Sequence, residues 1–442
     1  MLSRARWPRV ARLPAWWRSI PRRRKGWIVA LVAALVLFGS TFAFLGGQWI
    51  HSGLPWPDAY NSALALDASG RPHVVWGTVD LMYGTFSGVG WSSEVVDVDI
   101  SVDSISIGLD SFGHAHIAYG AWNRSEDHVT SDRNIKYATN AGGNWAVSYV
   151  AYGAFAPSIA VDSTARAHLA YVQQTPGYPF DHRVSYRVLS GGVWSSVLWL
   201  PSGASEAGRI TLDSRDYAYI PIHDVVPGYA TNRLGTWQVI RLDSEIEPQS
   251  VPSLVVGSHE DLHMSYTAWS PSDQSRVLRY ATNASGSWMF FTLNRLENTN
   301  SDLAVIAQSP SGRLQIMYND FRAAPEASIP TLRHAIQQRE GWSLSVVSSN
   351  AFLEDLSSFA IGPGDKAHVV YVQDARAVGR PASESSVVYA TKGLDGSILA
   401  TFLIENAIVF AVEMLVVALA LKKALQGRRK RPRMVTRAKA DP

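Results

Sequence analysis

The sequence predicts an all-β fold: a seven-bladed β-propeller of four-stranded antiparallel blades, flanked by two transmembrane α-helices. Three observations carry that expectation. An apolar strand, an Asp, a tight turn and a second strand opening with His recur in seven copies spaced 43–53 residues apart. A Tyr-bearing strand, a Gly or Asn turn and a Trp follow most copies. A long uncharged run stands before the repeats, and a second, nearly uncharged one follows them. A constant internal offset at such a period marks stacked repeat units.

The composition allows a large core. Of 442 residues, 47% are hydrophobic and 11% aromatic. Cys is absent, which excludes disulfides and Cys-ligated zinc but does not settle the compartment. The formal charge of +3 is unevenly spread. Residues 1–26 carry nine Arg or Lys, and residues 422–442 carry nine more with one acid, Asp441. Between these tails stand 22 basic and 36 acidic residues, a net of −14. An acidic middle argues against nucleic acid as a partner.

In chain order, 1–26 reads as a basic cytoplasmic tail whose charges fix topology, and a lipid-headgroup segment with Trp16 and Trp17 in the interface is the competing reading. Residues 27–46 read as a transmembrane helix. The 19 uncharged residues from Trp27 to Leu45 are longer than a signal-peptide core, although a cleaved signal is the competing reading. Residues 47–60 read as a linker, and 61–397 as the extracytoplasmic propeller. Residues 398–421 read as a second transmembrane helix, and 422–442 as a second basic cytoplasmic tail. Basic flanks on both runs place both termini in the cytoplasm of a cell-membrane protein.

The Asp position of the repeats holds Asp67, Asp110, Asp162, Asp213, Gly257, Ser309 and Gly362. Six residues later stand His73, His116, His168, Tyr219, His263, Gln315 and His368. An Asp side chain at the head of a tight turn accepts backbone N–H bonds, so these residues read as turn-makers. A calcium-binding ring of Asp is the competing reading, and no other cofactor is expected. The recurrent His occupies equivalent places around a ring, so it reads as satisfied within each blade rather than as a metal ligand. The Trp residues Trp91, Trp145, Trp194, Trp237, Trp288 and Trp342 open the last strand of six copies. The seventh copy has Ser397 there and runs on into the second apolar stretch. Residues 398–403 read either as that blade's outer strand or as the start of the helix. The helix is favoured, leaving a blade whose outer strand is missing or supplied elsewhere.

On these residues the repeats resemble those of sialidase-like, BNR-repeat propellers at the level of the fold. The Asp-box of that superfamily has Gly two residues after Asp, whereas Gly113 follows Asp110 by three, with an aromatic at Tyr119. The turn also falls between the first and second strands. The resemblance implies a propeller and assigns no arginine triad or nucleophile here.

The loops between second and third strands vary in length, and they carry the candidate ligand-binding residues. These are Trp122, Arg124, Asp127, His128, Tyr178, Asp181, His182, Trp269, Arg276, Asp320, Arg322, Asp374 and Arg376. Aromatic platforms with charged hydrogen-bonding groups suit a glycan or peptide. Within the second apolar run, Glu413 is a carboxylate in hydrocarbon, which suggests an intramembrane protein partner or self-association. Membrane lipid is the other expected partner. A non-catalytic binding protein is the favoured reading, and a sialidase-like glycan hydrolase or lyase the alternative. The alternative needs groups such as His182, His223, Asp224 and Glu326 to meet.

Overall fold

The computed structural model describes residues 49–54, 60–87, 90–98, 100–124, 129–175, 178–201, 206–242, 246–296, 303–323, 328–375 and 385–392. They form seven antiparallel sheets arranged as the blades of a propeller. Blade one contains Asn61–Leu66, Pro72–Gly77, Leu81–Phe86 and Trp91–Asp97 in spatial order. Blades two to six repeat that meander, and the inner strands pack side by side around a central channel. Among the described residues no helix is long and apolar enough to cross a membrane. The expected spans, both tails, Glu413 and Ser397 lie outside the described residues.

Blade seven corrects the expected linker. Trp49–Gly53, inside the 47–60 segment, is a β-strand and pairs antiparallel with Ser386–Lys392. Chain ends more than 300 residues apart thus complete one sheet. A linear repeat count cannot reveal this closure, because the strand precedes the first copy. It also supplies the missing Trp: Trp49 opens the outer strand of blade seven as Trp91 opens that of blade one.

The seven Trp rings form a closed set. Each packs against a ring on the third strand of the preceding blade. Trp145 meets Tyr83 at 5.1 Å, Trp194 meets Tyr137 at 5.4 Å, and Trp237 meets Tyr186 at 4.8 Å. Trp288 meets Tyr229 at 6.1 Å and Trp342 meets Tyr280 at 5.2 Å. Trp49 meets His334 at 5.2 Å, and Trp91 closes the circle on Tyr389 at 5.3 Å. Most of these contacts are edge-to-face, the arrangement the ring quadrupoles favour.

The recurrent His is tied to the same tyrosines. His116 Nδ1 lies 2.6 Å from Tyr137 Oη, His168 Nδ1 2.6 Å from Tyr186 Oη, and His368 Nδ1 2.6 Å from Tyr389 Oη. His73 pairs with Tyr83, and His263 with Tyr280, in the same way. In blade six the partners differ. Gln315 Nε2 donates to the Asp365 carbonyl, which leaves its Oε1 to accept from His334 Nε2 at 2.8 Å. Burial lowers the pKa of His334 to about 3, so this ring is neutral.

The Asp turns behave as turn-makers. Asp67 Oδ1 accepts the backbone N–H groups of Ser69 and Arg71, both at 2.9 Å. Asp110, Asp162 and Asp213 accept the same pair of N–H bonds. Burial opposes the charge on Asp162, but hydrogen bonds from His168, Arg166 and Thr164 outweigh it and hold the carboxyl well below its usual range. Gly70 closes its turn at φ 83°, a region L-residues resist. In blade five the Asp has moved along the turn. The Asp261 carboxylate folds back over Gly257, where a Cβ would lie 2.3 Å from Oδ1, and Oδ2 reaches His263 Nε2 at 2.8 Å.

Candidate functional site

Strand polarity divides the ring into two faces. With four antiparallel strands per blade, the Asp turns and Trp turns share one face. The second-to-third loops and the blade-to-blade connections share the other. Trp49 and Lys392 are direct strand partners, so the chain enters and leaves the propeller together on the turn face. The described candidate residues lie on the opposite, loop face.

The loop face is built by irregularities at the start of the inner strands. In blade two the register shifts between Val102 and Ser104, and in blade three between Phe155 and Ser158. In blade four the inner strand is split into Glu206–Ala207 and Thr211–Leu212. In blade seven it is split into Ala351–Phe352 and Phe359–Gly362. Bulges of this kind re-aim side chains at strand ends. Here Asp103 stands at the blade-two bulge, Arg209 between the two halves of the blade-four strand, and Asp355 between those of blade seven.

Two of the predicted residues belong to one cluster. Trp122 Nε1 donates to Asp103 Oδ2 at 3.1 Å, and Arg133 Nε lies 3.2 Å from the same oxygen. The Arg133 guanidinium sits 4.7 Å from the Trp122 ring and 5.3 Å from the Phe155 ring. His182 meets Phe155 edge-on at 5.2 Å. Gly120 makes room for this arrangement, since a Cβ there would lie 1.9 Å from Asp103 Oδ1. The Asp103–Arg133 pair lies within blade two, and the Arg133 guanidinium over Phe155 joins it to blade three.

The other candidates stand apart in their own blades. Trp269 is 39% exposed, and Arg276 is its direct strand partner in blade five. In the same loop Asp273 pairs with Arg295 at 2.6 Å. Asp320 is buried and pairs with Arg333 at 2.6 Å, and Asp374 is buried at the end of its strand. His223 Nδ1 lies 2.8 Å from Glu206 Oε2, and this hydrogen bond raises the His223 pKa. Asp224 holds Arg241 at 2.7 Å. His182, His223 and Asp224 are thus engaged with different partners rather than with one another. Asp127, His128, Arg376, Glu326 and the side chains of Arg124, Tyr178, Asp181 and Arg322 lie outside the described residues.

Two residues outside the predicted set interact electrostatically, and the first of them lines the channel. Arg209 lines a cavity of about 460 Å³ bounded by inner strands from all seven blades. Its Nη1 reaches across to the Phe359 carbonyl of blade seven at 3.4 Å. Asp355, on the split segment of blade seven, accepts the Ser357 N–H at 2.8 Å and the backbone N–H of Ile105 from blade two. Burial pushes the Asp355 pKa up to about 6 despite those bonds and the charge of Arg209. Burial likewise lowers the pKa of Arg209, and Asp355 opposes it. One signal was available in the sequence: four residues before the Asp position stand Ser106, Ser158, Ser253 and Ser358, but Arg209 in blade four. Asp355 had no such signal, because it lies outside the repeated pattern.

No protein-family model and no curated protein matches the sequence. Solved structures do share its architecture. An ulvan lyase of a polysaccharide lyase family aligns at 10% identity and TM-score 0.47, covering 77% of this chain and 95% of its own. An α-L-arabinofuranosidase from Fusarium graminearum, solved with arabinobiose, aligns at 9% and 0.43, covering 78% and 96%. The SapL1 lectin, solved with α-methyl fucoside, aligns at 11% and 0.41, covering 67% and 98%. These likenesses bear on the fold alone.

Proposed function

We propose that the chain is a membrane-anchored, extracytoplasmic binding protein whose propeller presents its loop face to a glycan, peptide or protein ligand. One observation carries the binding reading. Among the described residues, ionisable groups of that face pair with each other, as Asp103 with Arg133, Glu206 with His223, Asp224 with Arg241, and Asp273 with Arg295. Aromatic surface remains at Trp269 and around Trp122. Paired charges around aromatic faces suit recognition, whereas acid–base chemistry needs an acid and a base aimed at one point. The anchoring reading is supported by the two apolar runs with basic flanks. It is also supported by the exit of both chain ends at one strand pair on the turn face. A glycan hydrolase or lyase is the second reading, favoured by the raised pKa of Asp355 on the split inner segment of blade seven.

Glycan and peptide arrays probed with the full-length protein in detergent test the binding reading. Retention of a defined ligand set, reduced tenfold or more by Trp269→Ala or Trp122→Ala, supports it. Conversion of a retained glycan to product would replace it with the enzyme reading. The absence of Cys makes topology easy to test. An impermeant maleimide on intact cells should label Ser272→Cys on the loop face and spare Ser19→Cys in the N-terminal tail. Labelling of both, or of Ser19→Cys alone, overturns the anchored topology.

A further inference from the structure

Three large apolar side chains stand exposed at turn tips where the fold does not require them. Phe112 is 79% exposed, Val193 71% and Leu234 74%. Phe112 is on the Asp turn of blade two, whose counterparts in blades one, three and six hold Ser69, Thr164 and Ser311. Val193 is on the Trp turn of blade three, where blades two and five hold Asn144 and Ser287. Leu234 is on the Trp turn of blade four, where the same two blades hold Gly142 and Ser285. All three tips belong to the turn face. The ion pairs of that face are oriented. Asp67 and Asp162 bend inward to cap their turns, while Arg71 and Arg166, which pair with them, are exposed. Arg215 is exposed as well and reaches Glu260 of the next blade at 2.7 Å. The face thus turns cations outward beside apolar tips.

Exposure alone does not name a partner, since Val225 of the loop face is exposed too. The chain's exit does. Trp49 and Lys392 are strand partners on the turn face. Only Gly46, Gly47 and Gln48 separate Trp49 from the first apolar run, and five residues separate Lys392 from the second. Fully extended, these connections span at most about 14 Å and about 21 Å. The headgroup layer outside the hydrocarbon takes up about 5–8 Å of that reach. On the anchored reading, the turn-face rim of blade seven therefore stands close to the headgroups. With both tethers on blade seven, a rigid ring is free to tilt. Blades three and four lie opposite blade seven in the ring, and blades two to four carry the three apolar tips. We propose that the turn face is a lipid-docking surface: Phe112, Val193 and Leu234 enter the headgroup layer of the membrane that the apolar runs cross, and Arg71, Arg166 and Arg215 meet its phosphates. The inference rests on the anchored reading above and names the surface that meets the lipid. Docking at the far rim completes the support that the tethers begin. It lays the ring flat and directs the loop face away from the membrane.

The absence of Cys lets single labels test this in the full-length protein. Phe112→Cys, Val193→Cys, Leu234→Cys and the loop-face control Ser272→Cys would each carry a bimane. The chains are placed in nanodiscs of phosphatidylcholine and phosphatidylglycerol that contain a lipid with a nitroxide on its headgroup. The three turn-face labels should lose most of their fluorescence, and Ser272→Cys should keep its own. In the Val193→Cys chain, Phe112→Ser and Leu234→Ser together should restore much of the lost fluorescence. Tm should not fall, because blades one and five carry Ser69 and Ser285 at those positions. Discs of phosphatidylcholine alone should quench less, because the arginines then meet no net negative charge. Bright turn-face labels, a quenched Ser272→Cys, or quenching indifferent to the two serines or to phosphatidylglycerol overturns the docking surface. A chain that does not enter the discs overturns the anchored reading and this inference with it. A chain that enters them with bright turn-face labels overturns this inference alone.

Discussion

The two faces of the ring follow different rules. On the turn face the blades place the same groups in the same order: a turn-forming side chain in all but blade seven, which has Gly362 there, a His or its substitute, a third-strand ring and the Trp of the next blade. When one member changes, a neighbour changes with it, as Gly257 with Asp261 and Gln315 with His334. On the loop face the blades differ among the described residues: the inner strand is bulged in blades two and three and split in blades four, five and seven, and the ion pairs join different positions from blade to blade. The turn face is therefore the part that holds the ring together, and the loop face is free to differ because its groups support little of the shared architecture.

The latch of blade seven gives the largest test of that contrast. Deleting Trp49–Gly53 leaves Ser386–Lys392 as an open edge and removes one of the seven Trp contacts. The full chain without it should unfold at a markedly lower temperature in scanning calorimetry. Trp49→Ala alone should cost about 3 kcal/mol. If Trp49→Ala is far milder than Trp145→Ala, the closure is weaker than an ordinary blade junction.

Next in size are the His–Tyr pairs. Tyr137→Phe removes the partner of His116 Nδ1 and leaves a buried polar atom unsatisfied, which should cost about 1–3 kcal/mol. The same change at Tyr389 should cost a similar amount, because its His368 pair repeats the geometry. Denaturant melts of the two variants would show whether the repeats are energetically alike.

Acid should act on the turn face first. Burial lowers the pKa of His73, His116, His263 and His334. The unfolded chain then takes up protons near pH 6.5 while the folded chain does not, so stability is full above that pH and falls as the pH drops below it. Asp355 has the opposite sign: its raised pKa lets the folded chain take up a proton first as the pH falls through about 6. Tm measured from pH 7.5 to 5 should fall, and a His116→Gln variant should fall less steeply. A flat wild-type profile would mean that these rings do not govern acid stability.

The smallest effect on stability is expected on the loop face. Trp269→Ala should change stability by no more than about 0.5 kcal/mol, since its ring is 39% exposed, while ligand retention drops. A large loss of stability there would blur the division between the faces.

Legibility followed the same division. The Asp, His and Trp positions were readable because each repeats at a constant offset, and repetition along the chain reports equivalent places in a ring. The seventh Trp was not readable, although Trp49 is as plain in the sequence as the others. Its role depends on a strand partner more than 300 residues away. Trp122 and His182 are legible as loop aromatics, but Asp103, Arg133 and Phe155, which join them, lie in strands where no repeated position marks them.

The sequence by itself determined the blade: its strands, its tight turns, its buried His and the Trp at its outer edge. These are local patterns, set by side-chain alternation and turn chemistry within about fifty residues. Only the tertiary structure decided how the ring closes, on which face the chain enters and leaves it, and which side chains meet between blades. Those outcomes depend on contacts between blades far apart in sequence. Arg209 reaches the carbonyl of Phe359 only because four blades and three more complete a circle, and nothing in the local pattern of either residue announces the other.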